Sequence, residues 1–286
     1  MAQFKDQALL VSGAGGNLGR LAVEELIARG ATKIIAGTRD PATLSDFAAK
    51  GVEVRRIDFD DADLAQALAG VDRMLLVSTS TPNRLAQQRH AVDAARLAGV
   101  KHIVYTSAPN PRPDPEASSI SDHYWTEQAI AASGLDFTLL RNHIYADFIP
   151  FGVPGVEASG QLFDAADGKG RSYVTRADTA RTAAGALLDA AGKQIHDVTG
   201  PAALTQDEIA ALLSKVYGKT VTRVGISTDE LRDRLQTAGL PPFMTDLLVA
   251  FEIDAANGHH AVVTDAVERF SGRKPTPAAD IIGKGH

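Results

Sequence analysis

The sequence predicts an α/β protein, a doubly wound parallel sheet with a smaller, helix-rich C-terminal domain. Three observations carry that prediction. Residues 8–39 read as strand, glycine turn, amphipathic helix and second strand. Short apolar runs then recur as far as Leu140, each separated from the next by a helical pattern. Past Arg141 the rhythm gives way to Pro/Gly-interrupted and then helix-rich sequence.

Each element has a local reason. Ala8–Val11 is an apolar strand that runs into Ser12-Gly13-Ala14-Gly15-Gly16-Asn17-Leu18-Gly19, and an amphipathic helix follows to about Arg29. Ile34–Ala36 is the second strand, Ala42–Lys50 a helix and Glu53–Ile57 the third strand. A helix at about Leu64–Leu68 precedes the apolar strand Arg73–Val77, and Leu85–Ala98 precedes the strand Lys101–Tyr105. The helix Ile120–Ala132 leads to a sixth strand, Asp136–Leu140. Strands alternating with helices imply right-handed crossovers and helices on both faces, a Rossmann-type sheet. Beyond it, Ala177–Ala191 is helical, and Thr205-Gln206-Asp207-Glu208 and Ser227-Thr228-Asp229-Glu230 read as capping boxes, the first opening a helix to about Tyr217. The expected domains are 1–142 with about 161–192, and 143–160 with 193–286. Pro109–Pro115, four prolines in seven residues, forms a stiff loop just past a strand's C-terminal end.

Composition narrows the function classes. The 286 residues carry a net charge of −6 and no basic block, which speaks against a nucleic-acid partner. With no cysteine there is no disulfide, thiolate metal site or cysteine nucleophile, and no metal site is expected. No apolar run approaches the roughly 18 residues of a membrane span, and the N-terminus lacks a signal-peptide core. The expectation is a cytoplasmic protein without membrane contact; a homodimer is the assembly considered.

The glycine turn has the spacing of a dinucleotide cradle. Gly13 permits the tight turn, Gly16 lets the backbone approach a diphosphate, and Gly19 lets the helix pack against the strand. Backbone N–H groups at Gly16, Asn17 and Leu18 and the positive end of the helix would face the phosphates. At the end of the second strand an NAD site wants a carboxylate, whereas Arg39 offers a planar cation suited to the 2′-phosphate of NADP(H). Asp40 is the rival, as a ribose carboxylate, and it can equally cap the next helix with Pro41 at its first position.

Other candidates lie at later strand ends. Ser78 and Thr79 could hold ribose and phosphate oxygens, or be ordinary turn residues. Asp58 could accept the adenine amino group with Phe59 stacked on the base, or cap a turn. Tyr105 and Ser107 end the fifth strand near the expected cofactor. Tyr124 stands four residues before Gln128, where a proton-donating tyrosine would want a lysine. His123 is the substitute donor, near its working pKa. Asn142 and Tyr145 follow the sixth strand, and Tyr145, Phe148, Phe151 and Trp125 would suit a flat aromatic acceptor. A site without an obvious acid fits acceptors reduced chiefly by positioning, since a quinone yields a delocalised phenolate and a cationic dye a neutral product.

These residues resemble the NmrA-like atypical short-chain dehydrogenases/reductases, and within them the NADPH-dependent quinone oxidoreductases and triphenylmethane reductases. The likeness rests on Gly13/Gly16/Gly19, Arg39, Ala98–Ile103 leading into Tyr105-Thr106-Ser107, His123 with Thr126-Glu127, Thr138–Asn142 with Tyr145, and Thr175–Asp178. It implies an NADP-binding domain, a smaller C-terminal domain, a substrate cleft including residues near 142–151, and hydride transfer to quinone-like or dye-like small molecules. Gln128 in place of a lysine and the Pro109–Pro115 run depart from that pattern. The alternative reading is a non-catalytic NADP-binding redox sensor. Nucleotide-sugar chemistry on the same fold needs the tyrosine–lysine pair this chain lacks, and for methyl transfer Arg39 is a poor partner for a ribose diol.

Overall fold

The computed structural model describes residues 3–113, 119–149 and 155–282. Asp114, Pro115 and Phe151, singled out above, lie outside the described residues. The elements run β1 (Ala8–Val11), α1 (Asn17–Ala28), β2 (Lys33–Thr38), a 3-10 turn (Pro41–Leu44) continuing into α2 (Ser45–Ala48), β3 (Glu53–Arg56), α3 (Leu64–Ala67) and β4 (Arg73–Leu76). Next come α4 (Arg84–Leu97), β5 (His102–Ser107), α5 (Ser119–Ala132), β6 (Asp136–Asn142), α6 (Val156–Ser159) and β7 (Gln161–Asp164). The remainder is α7 (Arg176–Asp189), β8 (Lys193–Val198), α8 (Gln206–Tyr217), β9 (Thr222–Gly225), α9 (Thr228–Thr237), α10 (Pro242–Ala256), α11 (Ala266–Ser271) and α12 (Ala279–Ile282).

The chain divides into two compact units, Met1–Asn142 with Ala177–Val198 and Ala266–Lys274, and His143–Arg176 with Thr199–Asp265 and Pro275–His286. The first unit is built on a seven-stranded sheet in the order β3-β2-β1-β4-β5-β6-β8, every pairing parallel. Register aligns Val11 with Ala36 and Leu75, Thr38 with Arg56, Leu76 with Tyr105, and Asn142 with Val198, so the strands' C-terminal ends share one edge. Strand order reverses between β1 and β4, the place where such sheets open a crevice. The central strands β4 and β5 are buried along their whole length, as crossovers covering both faces require. Leu10, Met74, Leu76, Ile103 and Leu139 pack there with Leu64, Leu68, Val92 and Ile130.

The return to this unit differs from the expected 161–192. Residues 161–164 instead pair with β9 in the second unit, and β8 supplies the seventh strand. In the second unit the parallel β7–β9 pair accompanies a core of Ile149, Val156, Leu162, Tyr173, Ile209, Leu213 and Val221. The capping box at Thr205 forms in full, with Thr205 and Glu208 bonding each other's backbone. The Ser227 box forms by half. Ser227 accepts from the Glu230 N–H, while the Glu230 carboxylate turns to Arg234 at 2.8 Å. Among the described residues no helix is long and apolar enough to cross a membrane.

Two arginines close helix ends inside the first unit. Arg73, buried on β4, donates to the carbonyls of Leu187 (2.6 Å) and Ala190 (2.6 Å) at the end of α7 and stacks over Phe4. Burial lowers its pKa to about 10, which leaves it charged at neutral pH against the negative end of the helix. Arg29 does the same for the end of α11, donating to Phe270 O (3.0 Å) and Ser271 O (2.8 Å). Arg73→Met keeps the stem and removes the donors, leaving buried carbonyls unpaired. The expected loss is about 2–4 kcal/mol, read as a lower urea midpoint by circular dichroism.

Candidate active site

The cradle forms where the sequence locates it. Gly13 adopts φ +61, a left-handed conformation that disfavours any side chain, and Ala14 N–H bonds Gly37 O at 2.9 Å to tie the turn to β2. A Cβ at Gly19 would lie 2.3 Å from the Gly13 carbonyl oxygen, so α1 can approach β1 this closely only without a side chain there. Buried Ser12 joins the ends of β1 and β4 by accepting the Val77 N–H at 2.9 Å. Gly16 is the N-cap of α1; no side chain caps that end and its first turn holds no carboxylate. Gly16 and Asn17 are exposed and Leu18 half-buried; the Gly16 N–H closes the turn on the Gly13 carbonyl at 2.9 Å. The structure thus offers a diphosphate an uncapped helix start beside a turn that only glycines fit.

At the next strand end Arg39 and Asp40 have different surroundings. Asp40 accepts the Ala42 N–H at 3.1 Å, and Pro41 opens the 3-10 turn, so its carboxylate serves as the cap. Arg39 is exposed, and among the described residues its guanidinium takes part in no hydrogen bond or ion pair. Neighbouring arginines are engaged: Arg20 with Asp46, and Arg56 with Asp58 and Asp61. Asp58 accepts from Asp60 N–H (3.2 Å) as well as from Arg56, the turn cap that was its alternative reading. Phe59 packs against the core, and its carbonyl meets His90 Nδ1 at 2.8 Å.

The loop after β4 is held from behind. Ser78 N–H donates to Thr106 Oγ1 (2.8 Å), which in turn donates to Ser78 Oγ (3.2 Å). Thr79 N–H reaches Gln88 Oε1 and its hydroxyl Gln87 Oε1, both at 3.3 Å. Ser107 donates to Glu127 Oε1 (2.7 Å), and Arg141 clamps both oxygens of that buried carboxylate at 3.0 and 2.8 Å. Asn142, at the end of β6, is buried with its Oδ1 unpartnered among the described residues. An orphaned buried acceptor at that edge suits a ligand amide.

Two expectations change here. Tyr105 was expected to meet the cofactor, yet it is fully buried in the core, its phenol within hydrogen-bond reach of His123 Nδ1 (2.7 Å) and Gln88 Oε1 (3.3 Å). It packs with Leu64, Leu68, Val92 and Ile130, and burial raises its pKa. His123 was expected to be a proton donor near its working pKa. It is instead buried and receives the Arg84 guanidinium on Nε2 at 2.7 Å. Burial first, and Arg84 second, push its pKa well below the ordinary histidine range, so the ring is neutral. Tyr124 is half-buried and set edge-on to Trp125 at 5.0 Å, while Gln128, one turn on, is exposed. Tyr145 belongs to the second unit, where its ring lies 5.9 Å from that of Phe148 and Arg176 stands 5.4 Å over it.

Arg84, Gln87 and Gln88 support the site as well, beyond the residues that the sequence motifs single out. The signal was present: 84 and 88 continue the stripe of Ala91, Val92 and Ala95, so polar residues stand where a helix buries its apolar face.

An alanine at position 19 would force α1 off the turn. Gly19→Ala is expected to destabilise the protein by about 1–3 kcal/mol and to weaken dinucleotide binding, measured by thermal melts and nucleotide titration. Comparison with known proteins converges on the same segment. Residues 13–190 match the family model described as NAD(P)H-binding. Quinone oxidoreductase 2 of Escherichia coli is 34% identical over 96% of this chain and 97% of its own. The crystal structure of the E. coli NADPH-dependent quinone oxidoreductase with NADPH superposes with a TM-score of 0.89, at 33% identity over 96% of this chain and 98% of that one. Triphenylmethane reductase of Citrobacter sp., solved with NADP(H), gives 0.89 at 30% identity over 98% and 100% of the two chains. With its glycine cradle inside the matched residues and near-complete coverage of these relatives, the chain belongs to the NAD(P)H-binding family.

Proposed function

We propose that this protein is an NADPH-dependent oxidoreductase that passes hydride to a flat conjugated acceptor such as a quinone or a triphenylmethane-type dye. The observation that carries the choice of NADPH is the contrast at the end of β2. Asp40 is committed to a backbone cap, while Arg39 is exposed and, among the described residues, unengaged. A carboxylate held in that way is poorly placed to bind a ribose diol, and an unengaged guanidinium is a ready site for a phosphate dianion. In this reading Gly13, Gly16, Asn17 and Leu18 hold the diphosphate, Ser78 and Thr79 lie at the ribose, and Asn142 supplies its carbonyl oxygen to the nicotinamide end. Within the second unit Tyr145 and Phe148 form an aromatic pair with Arg176 beside it, a surface of the kind on which a flat molecule can stack.

When bound, the reduced nicotinamide supplies the hydride. This chain's residues orient it, and among the described residues no protein acid stands out. His123 is neutral and engaged on both nitrogens, and Tyr124 has no cation at Gln128. The favoured acceptors therefore tolerate charge after hydride addition or lose it. A quinone takes the two electrons as a delocalised phenolate that solvent protonates, and a cationic dye becomes neutral. The relatives fit this reading, one being named a quinone oxidoreductase and another a triphenylmethane reductase.

Arg39→Ala should raise the KM for NADPH about 10- to 100-fold and leave that for NADH nearly unchanged. Equal effects on the two cofactors in steady-state assays would refute the clamp. With a cationic dye, kcat/KM should show no imidazole inflection between about pH 6 and 8. A limb in that window would restore His123 as a donor. Tight NADPH binding without turnover on any quinone, dye or aldehyde would support the redox-sensor alternative instead.

A further inference from the structure

Arg84 opens α4, and a guanidinium has no acceptor, so at 2.7 Å it can only donate to His123 Nε2. Nε2 therefore presents its lone pair, and the neutral ring carries its proton on Nδ1, 2.7 Å from Tyr105 Oη. That N–H donates to the phenol oxygen and leaves the Tyr105 O–H for Gln88 Oε1 at 3.3 Å. Gln88 Nε2 donates to Thr126 Oγ1 (2.9 Å), whose hydroxyl ends on the Asp122 carbonyl (2.8 Å). Gln88 Oε1 also receives the Thr79 N–H at 3.3 Å. Thr126 also hydrogen-bonds the Tyr105 phenol, and the order of the row starts from the cation.

We propose that Arg84 is a positioning residue: by fixing His123 in the Nδ1–H tautomer it orders Tyr105 and Gln88, and through Gln88 it holds the Thr79 loop for the cofactor. The cofactor part rests on the function proposed above. The ordering part stands on geometry. Inverting the tautomer would set N–H against N–H at Arg84 and draw the Tyr105 proton away from Gln88. Protonating the ring would bring a second cation against the guanidinium in a buried position. The groups facing His123 are Arg84 from α4 and Tyr105 from β5. On its own helix stands Asp122, whose carboxylate is 3.8 Å from Arg84 Nε, and Glu127 acts on Tyr105 at longer range.

Three measurements test this: NMR of the imidazole nitrogens, hydrogen exchange of the Thr79 amide, and NADPH titration. They are applied to the wild-type chain and to Arg84→Met and Arg84→Lys. The wild type should show a neutral Nδ1–H ring at His123 from about pH 5.5 to 8. In Arg84→Met the ring should exchange tautomers and titrate, and the Thr79 amide should exchange about tenfold faster. NADPH Kd should rise about tenfold, with kcat at saturating NADPH within about twofold of wild type. Arg84→Lys, a donor-only cation, should restore the tautomer and most of the affinity. An Nε2–H or protonated His123 in the wild type overturns the proposal. So does a Met variant whose Thr79 exchange is unchanged. If the Met variant does not fold, the wild-type tautomer and the Lys variant decide. A wild-type chain that fails to bind NADPH refutes the function reading, while the tautomer and the Thr79 amide still judge this one.

Discussion

A polar group taken out of water must find a partner or cost the fold its desolvation, and in this protein guanidinium groups meet much of that demand. Arg73 and Arg29 satisfy the last carbonyls of two helices. Arg141 clamps the buried Glu127 between β5 and β6, and Arg84 sits on the buried His123. In the second unit Arg171 joins buried Asp164 and half-buried Glu252 at 3.2 and 2.6 Å. A donor-only, always charged group imposes a direction on whatever it touches, so these contacts also fix tautomers and carboxylate orientations. Arg39 stands out against that pattern, an exposed guanidinium at a strand end with its neighbours already paired.

The same constraint explains what the sequence made legible. The β1–α1–β2 unit was readable because its requirements are local. Gly13 needs a positive φ, Gly19 needs a missing Cβ, and Asp40-Pro41 is a cap followed by a first helical residue. The Thr205 box is local as well, and its helix begins and ends as expected. Ser227 looked identical in sequence, but Glu230 has Arg234 one turn on and takes the ion pair in place of the backbone. A motif of four letters cannot see the competitor at the eighth.

What failed to show was non-local. Strand β8 reads Lys-Gln-Ile-His-Asp-Val, with Ile195 half exposed, because it is the edge of the sheet and only one side is covered. In sequence Tyr105 reads as a residue of the ligand edge, since β5 is buried on both faces and lacks the alternation that tells one side from the other. Its hydroxyl partners, Gln88 and His123, come from two different helices. His123 illustrates the cost of reading a titratable residue by type. Its ordinary pKa suggests a donor, and its burial beside a cation removes that capacity.

The neutral His123 constrains the chemistry more than a missing motif does. An alkoxide left by hydride addition to a simple ketone would need a proton at once, from a group held at the reacting atom. Both ring nitrogens of His123 are occupied by the network that supports the Thr79 loop, so the ring cannot serve as support and as acid together. The arrangement spends its histidine on geometry. A site organised in that way gains most from an acceptor whose reduction is limited by alignment with the donor rather than by proton supply, and extended conjugation is the chemical property that provides this.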